Sequence, residues 1–161
     1  MDATVLLVMD IQRGIVGRFA DDAGYLPRLG HAITAARSAG IPVIYVTVGF
    51  RPGHPEISAR NRSFSAIASA GRFTAADPAA GIHPAVAPAA EDPVVTKRRV
   101  SSFAGSDLEV LLRGLGAGTL VLAGIAGEAL DDPPLDIHHQ QRGRLHGAPF
   151  TRAVRRSGRG C

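Results

Sequence analysis

The chain contains few cysteine, lysine or aromatic residues. Its 161 residues include one cysteine, Cys161, two tyrosines and no tryptophan. A single thiol excludes an internal disulfide and any metal site built on several cysteines. Lys97 is the only lysine, and every other one of the 18 basic residues is arginine.

Long apolar runs are also absent. The longest stretches fall well short of the roughly 18 to 20 apolar residues that a membrane span requires, so we expect no membrane segment. Residues 1–10 have no basic region and turn polar at Asp10, which argues against a secretory signal. We therefore expect a cytoplasmic protein. Since 45% of the residues are hydrophobic, the chain can still bury the core of one domain.

The net charge of +4 is unevenly distributed. Residues 1–126 hold 12 basic and 10 acidic residues, whereas the much shorter segment 127–161 holds 6 and 4. The basic excess per residue is therefore highest in the C-terminal segment. We do not expect a nucleic-acid partner, because that segment mixes its arginines with acids and has one aromatic residue.

Short apolar runs alternate with helical patterns. Amphipathic helices are predicted over 25–39 and 106–115, and buried strands over 4–9, 43–48, 93–96 and 119–123. Strand, helix and strand joined by short connections indicate parallel βαβ units. We predict an α/β domain over 1–126 with a parallel sheet flanked by helices in three layers. The Pro-, Gly- and Arg-rich residues 127–161 are predicted to be an irregular or disordered tail without further strands.

Polar or glycine residues follow three of the predicted strands. Asp10 follows the first, Lys97 the third, and the segment 124–126 the fourth. The carboxyl ends of parallel strands meet at one edge of a sheet, where ligands bind in open α/β folds. A carboxylate and an ammonium in one cleft can act in acid/base chemistry, but charges at strand ends are also common without a function.

Four segments resemble motifs of the isochorismatase-like cysteine hydrolase superfamily, in the same order along the chain. They are Val-Leu-Leu-Val-Met-Asp-Ile-Gln at 5–12, Ala-Ala-Arg-x-x-Gly-Ile-Pro-Val-Ile-Tyr-Val at 35–46, Val-Thr-Lys-Arg-Arg-Val-Ser-Ser-Phe at 95–103, and Leu-Val-Leu-Ala-Gly-Ile-Ala at 120–126. The resemblance covers residues 3–126. It favours a functional role for Asp10 and Lys97 over the interpretation as ordinary strand ends.

The resemblance implies a Rossmann-like sheet of six parallel strands in the order 3-2-1-4-5-6 and an Asp-Lys-Cys triad. It makes Asp10 the acid/base and Lys97 its electrostatic partner. It also places a cis peptide bond between Ile125 and Ala126. Family members hydrolyse small amides, carbamoyl compounds or the vinyl ether of isochorismate, and they commonly self-associate. A small-molecule substrate and a homo-oligomer are therefore implied, with no cofactor and no metal.

The residue of this chain at the position of the family's nucleophile departs from the family's motif. Counting from Ala126 places that cysteine at Leu130, which cannot act as a nucleophile. Nothing in 127–161 reads as the last two strands, so the resemblance implies a truncated or divergent member whose fourth strand is an unpaired edge. Two alternatives stay open: a hydrolase domain, active or inactive, and a non-catalytic protein that binds a small molecule or forms oligomers.

A shift of reading frame is one explanation of this departure. Residues 138–149, back-translated and read one nucleotide later, permit a stretch that resembles the Thr-Ser-x-Val-Val-x-Ser-Thr helix of cysteine-less family members. The coding DNA tests this hypothesis, which fails if the shifted frame encodes no such helix.

Two smaller features also give predictions. Ser106 and Glu109 have the spacing of a capping box, in which each side chain bonds the other residue's backbone amide. His54 follows a Pro-Gly pair and lacks the Asp-x-His pattern of metal-binding family members. We therefore expect His54 to lie in a surface loop and to bind no metal.

Overall fold

A five-stranded sheet forms the centre of the computed structural model, which describes residues 3–17, 22–58, 60–61 and 64–125 and the backbone of 150–155. The strand order is β3-β2-β1-β4-β5. The first four strands are parallel. The strands are β1 (Ala3–Met9), β2 (Val43–Val48), β3 (Val94–Lys97), β4 (Ala117–Gly124) and β5 (Phe150–Arg155).

Helices cover the two faces of the sheet. They are α1 (Arg13–Val16), α2 (Tyr25–Ser38), α3 (Ser65–Ser69) and α4 (Leu108–Gly114), with 3-10 turns at Pro78–Ala80 and Pro84–Val86. The apolar side of α2 packs on one face and that of α4 on the other. The predicted three-layer α/β fold is thus confirmed. Within the described residues, no helix is both long and apolar enough to cross a membrane.

Strand β1 lies in the middle of the sheet and is buried on both faces. Leu6 and Val8 pack into the core beneath α2, whereas Val5 and Leu7 pack into the core beneath α4. This alternation follows from the two-residue period of a strand. A continuous apolar run was expected for such a position, because a central parallel strand has no solvent-facing side.

Strand β5 corrects the expectation that residues 127–161 contain no strand. It pairs antiparallel with β4 from Gly124↔Phe150 to Thr119↔Arg155. The edge of β4 therefore has a partner, contrary to prediction. An edge of unpaired amides and carbonyls can recruit a segment whose own apolar pattern is too short to read as a strand. The proposed domain boundary after residue 126 stays a prediction.

The start of α4 also differs from its prediction. The helix begins at Leu108, and its N-cap residue Asp107 makes no side-chain cap. Ser106 Oγ instead accepts from the Leu108 amide at 3.2 Å. Glu109 pairs with Arg113 one helical turn further along, at 2.7 Å. The helix thus begins two residues later than predicted, and the reciprocal contact of Glu109 in the capping box stays a prediction.

The end of β4 requires glycine. Gly124 has φ of +149°, and a Cβ built there would lie 2.0 Å from the carbonyl oxygen of Met9. That oxygen belongs to the backbone of β1, so a side chain cannot be accommodated by a change of rotamer. The carboxyl ends of β1 and β4 can therefore come this close only with glycine at 124.

We expect Gly124→Ala to lower the free energy of unfolding by about 2 to 4 kcal/mol, through the clash and the unfavourable backbone conformation. Urea unfolding followed by circular dichroism measures the change. Gly114→Ala is the matched control, because a Cβ at Gly114 meets nothing within 4 Å. Equal stability of the two variants would contradict the close approach.

Candidate active site

Asp10 lies directly after β1, where the chain leaves the sheet. Its amide donates to the carbonyl of Val46 on β2 at 2.9 Å. Its φ of +57° is a left-handed conformation that aspartate tolerates better than most residues. The residue is 9% exposed. The carboxylate is therefore held at the carboxyl edge of the sheet, largely out of water.

Lys97 ends β3 and reaches this carboxylate across the intervening strand. Its Nζ donates to Asp10 Oδ2 at 2.7 Å, and a longer contact of 3.4 Å reaches the carbonyl of Val100. Since β2 separates β3 from β1, the two side chains and the hydrogen bond between them together span two strand spacings, about 10 Å. The structure thus brings together the two candidate residues, which are 87 positions apart.

Burial and charge act in opposite directions on Asp10. Burial raises the pKa of its carboxyl group above the ordinary value, and the positive charge and hydrogen bond of Lys97 partly offset that rise. Oδ1 of the same carboxylate is buried and has no hydrogen-bond partner in the described part of the chain. The site therefore contains a desolvated acceptor that can receive a proton or bind an N–H group.

The end of β4 lies beside Asp10. Gly124 is opposite Met9 in the parallel register, and the Ile125 amide donates to the Met9 carbonyl at 3.1 Å. Ile125 is buried. The second residue of the expected cis peptide, Ala126, lies outside the described residues, as do Leu130 and Cys161. The cis peptide and the missing nucleophile thus stay predictions.

Gln12 holds several backbone segments together near the site. The sequence indicated only that Gln12 belongs to a motif and did not predict these contacts. Its side chain is 1% exposed. Nε2 donates to the carbonyls of Val48 at 2.8 Å and Ala80 at 2.7 Å, and Oε1 accepts from the Val48 amide at 2.8 Å. This amide joins the ends of β1 and β2 to the loop before β3. A glutamine three residues after a buried strand is the signal that could have indicated such a role.

Arg98 and Arg99 do not join the Asp10–Lys97 pair. Arg98 Nε lies 3.2 Å from the Glu56 carboxylate, which also pairs with Arg51 at 2.6 Å. Arg99 donates to the Glu56 carbonyl at 2.7 Å. These contacts fasten the loop after β2 to the segment after Lys97. The arginines thus support the segment that follows the candidate lysine.

The expectation that His54 is a surface residue is wrong. His54 is 6% exposed, its Nε2 lies 2.7 Å from the Arg72 carbonyl, and its ring centroid is 5.6 Å from that of Phe50. The loop folds inward because Phe50 and Phe73 form a small apolar core there. Among the described residues, no group of three or more His, Cys, Asp or Glu could hold a metal ion.

Comparison with known proteins identifies proteins that are similar to this chain in sequence and in fold. The family model described as Isochorismatase domain matches residues 4–129. The ureidoacrylate amidohydrolase RutB of Methylorubrum extorquens is 29% identical in an alignment of length 168 that covers 87% of this chain and 66% of that protein. The RutB of Methylobacterium radiotolerans is 30% identical, over 76% of this chain and 56% of that protein. The chain thus spans less than two thirds of the length of these relatives.

Solved structures show the same fold. An isochorismatase family protein from Desulfovibrio vulgaris has a TM-score of 0.66 at 27% identity, over 77% of this chain and 67% of that one. N-carbamoylsarcosine amidase from Thermoplasma acidophilum has a TM-score of 0.61 at 27% identity, over 76% and 67%. With the family match across most of its residues, the chain belongs to the isochorismatase family of hydrolases.

Proposed function

We propose that this hydrolase domain cleaves the C–N bond of a small amide, ureido or carbamoyl compound, with Asp10 transferring the proton. The buried ion pair between Asp10 Oδ2 and Lys97 Nζ supports this proposal most directly. Two of the similar proteins are named as enzymes that act on such bonds, a ureidoacrylate amidohydrolase and an N-carbamoylsarcosine amidase.

The proposed proton transfer uses the two oxygens of Asp10 differently. Oδ2 is held by Lys97, whereas the buried Oδ1 is open to a donor. With Leu130 at the nucleophile position, water is the nucleophile. The ionised Asp10 takes a proton from this water as its oxygen bonds to the carbonyl carbon. When the C–N bond breaks, Asp10 returns the proton to the leaving nitrogen.

Lys97 has an electrostatic role in this mechanism. Its ammonium keeps enough of Asp10 ionised to act as a base, against the burial that favours the neutral acid. It also fixes the orientation of the carboxylate, so that Oδ1 is presented to the substrate. Neither role requires Lys97 to exchange a proton during the reaction.

Hydrolysis of a vinyl ether is the second candidate, and the raised pKa of Asp10 favours it. A carboxyl group that retains its proton can protonate the vinyl carbon, after which water attacks the resulting cation. This reaction needs no thiol, which fits leucine at 130. A non-catalytic role in binding small molecules or in self-association is the remaining alternative, and it predicts no turnover of either substrate class.

We expect measurable hydrolysis from a panel of small amides, ureido compounds and vinyl ethers, and a loss of about 10²- to 10⁴-fold in kcat/KM in Asp10→Asn. Lys97→Ala should lose activity as well. Asp107→Asn is the control, since Asp107 is exposed and its side chain makes no helix cap. Absence of turnover in the unsubstituted chain would favour the non-catalytic alternative.

The pH dependence separates the two catalytic candidates. If Asp10 acts as the base on an amide, kcat/KM falls as pH decreases through the raised pKa of Asp10, because the protonated form cannot accept a proton. If Asp10 acts as the acid on a vinyl ether, kcat/KM falls as pH increases through the same pKa.

Lys97→Met should move the pH at which kcat/KM falls to a higher value in both cases, because it removes the charge that opposes the rise in the pKa of Asp10. We call this falling side of the pH–rate profile its limb. Residual pH–rate profiles and a carbon-13 NMR titration of the Asp10 carboxyl group measure the shift. Arg113→Gln removes a distant exposed charge and should leave the limb in place. A limb that Lys97→Met does not move would assign the ionisation to another group.

Stability measurements show whether activity losses arise from the ion pair or from unfolding. Lys97→Met alone leaves the Asp10 carboxylate buried without a cation, which should cost about 3 to 5 kcal/mol at neutral pH. The double variant Asp10→Asn, Lys97→Met has no buried charge and should recover most of that loss. Urea unfolding measures both. A double variant as unstable as the single one would show that packing, not charge, holds this site together.

A further inference from the structure

A cavity of about 520 Å³ lies between α1, the start of α2 and the 3-10 turn at Pro84–Val86, and neither Asp10 nor Lys97 lines it. Its volume is typical of sites for small organic ligands. Val16, Leu26 and Pro84 contribute apolar walls, and Arg13, Tyr25 and His83 contribute polar groups.

Arg13 is a cation whose neighbouring carboxylates are already occupied. It lines this cavity and also an adjacent one of about 440 Å³. The acidic residue in the wall of the first, Asp22, pairs with Arg28 at 2.5 Å, and that of the second, Asp77, pairs with Arg72 at 3.2 Å. Within the residues that the structure describes, Arg13 therefore has no ion pair, and its guanidinium can bind an anion.

Tyr25, at the start of α2, provides a second group without a partner. Its side chain lines the cavity, and its hydroxyl is buried with no hydrogen-bond partner among the described atoms. Burial raises the pKa of Tyr25 to about 12, with Arg28 opposing the rise. The phenol therefore retains its proton at neutral pH and is a donor that lacks an acceptor.

His83 adds a third donor. Its Nδ1 accepts from the Ala85 amide at 3.3 Å, which leaves Nε2 as the ring nitrogen that carries a hydrogen. The His83 amide donates to the Ile11 carbonyl at 2.8 Å, which attaches this wall of the cavity to the end of β1. The cavity thus combines three hydrogen-bond donors, one of them cationic, with apolar walls.

We propose that this cavity is a binding site for a small organic acid, which presents its carboxylate to Arg13, Tyr25 and His83 and its apolar body to the walls of Val16, Leu26 and Pro84. The carboxylate supplies the acceptor that the buried Tyr25 hydroxyl lacks among the described atoms and a counter-charge for Arg13. The site is separate from the Asp10–Lys97 pair, so it does not depend on the hydrolase having any particular substrate.

Titration of the full chain with sodium benzoate tests this proposal. Isothermal calorimetry and NMR chemical shifts should give a Kd of about 0.1 to 10 mM, as expected for a ligand of nine heavy atoms. Benzyl alcohol, which has a similar shape but no charge, should bind at least about tenfold more weakly. Added sodium chloride should weaken the binding of benzoate but not that of the alcohol.

Two variants test the assigned groups. Arg13→Gln should weaken benzoate binding at least about tenfold, and Tyr25→Phe should weaken it several-fold by removing only the hydroxyl. The matched controls are Arg113→Gln on α4 and Tyr45→Phe, whose hydroxyl contacts the Ala87 carbonyl instead. Thermal melting confirms that each variant is folded, and Tyr25→Phe keeps the ring in the core.

Asp10→Asn distinguishes this site from the candidate active site. It should abolish hydrolysis and leave benzoate binding unchanged, because Asp10 does not line the cavity. Loss of benzoate binding in a folded Asp10→Asn variant would overturn the proposal, as would unchanged affinity in both Arg13→Gln and Tyr25→Phe. Failure to detect binding of benzoate at about 10 mM would overturn it too.

Discussion

Burial of β1 on both faces is the constraint on which the candidate site depends. Because β1 lies between β2 and β4 and beneath both helical layers, the residue that follows it emerges inside the protein. Asp10 is therefore desolvated by its place in the chain. A carboxylate in that position needs a cation, and Lys97 provides one from two strands away. The topology thus produces the electrostatics of the site.

The charge pair is retained at a position where an apolar pair would be expected to fold at least as well. Removing two ions from water costs several kcal/mol each, and their attraction rarely repays that cost with a large surplus. In this site one carboxylate oxygen also remains without a partner. A gain in the stability of the fold therefore poorly explains why this pair is buried. The proposed function accounts for it as a group that transfers a proton and whose unpartnered oxygen receives its partner from a ligand.

Much of the fold and part of the site could be predicted from the sequence. The apolar run at residues 4–9 and the stop at Asp10 indicated a central strand and its charged end, because these are local patterns. The contacts of Gln12 and His54 could not be predicted, since each depends on loops that return from elsewhere in the chain. Strand β5 could not be predicted for the same reason. Its own sequence has a weak strand pattern, and it is recognised as a strand only through its long-range pairing with β4.

The proposed mechanism divides the site into two halves. The half proposed to move protons lies at the ends of β1 and β3, whose apolar residues pack into the cores on the two faces of the sheet. The half that would supply a nucleophile is expected after β4, where the family resemblance places Leu130 at the position of the thiol. Since Asp10 and Lys97 are held by strands and by each other, their geometry does not require a residue at 130. The proposed acid/base pair therefore needs no thiol beside it, and water is the reactant that the proposed mechanism uses.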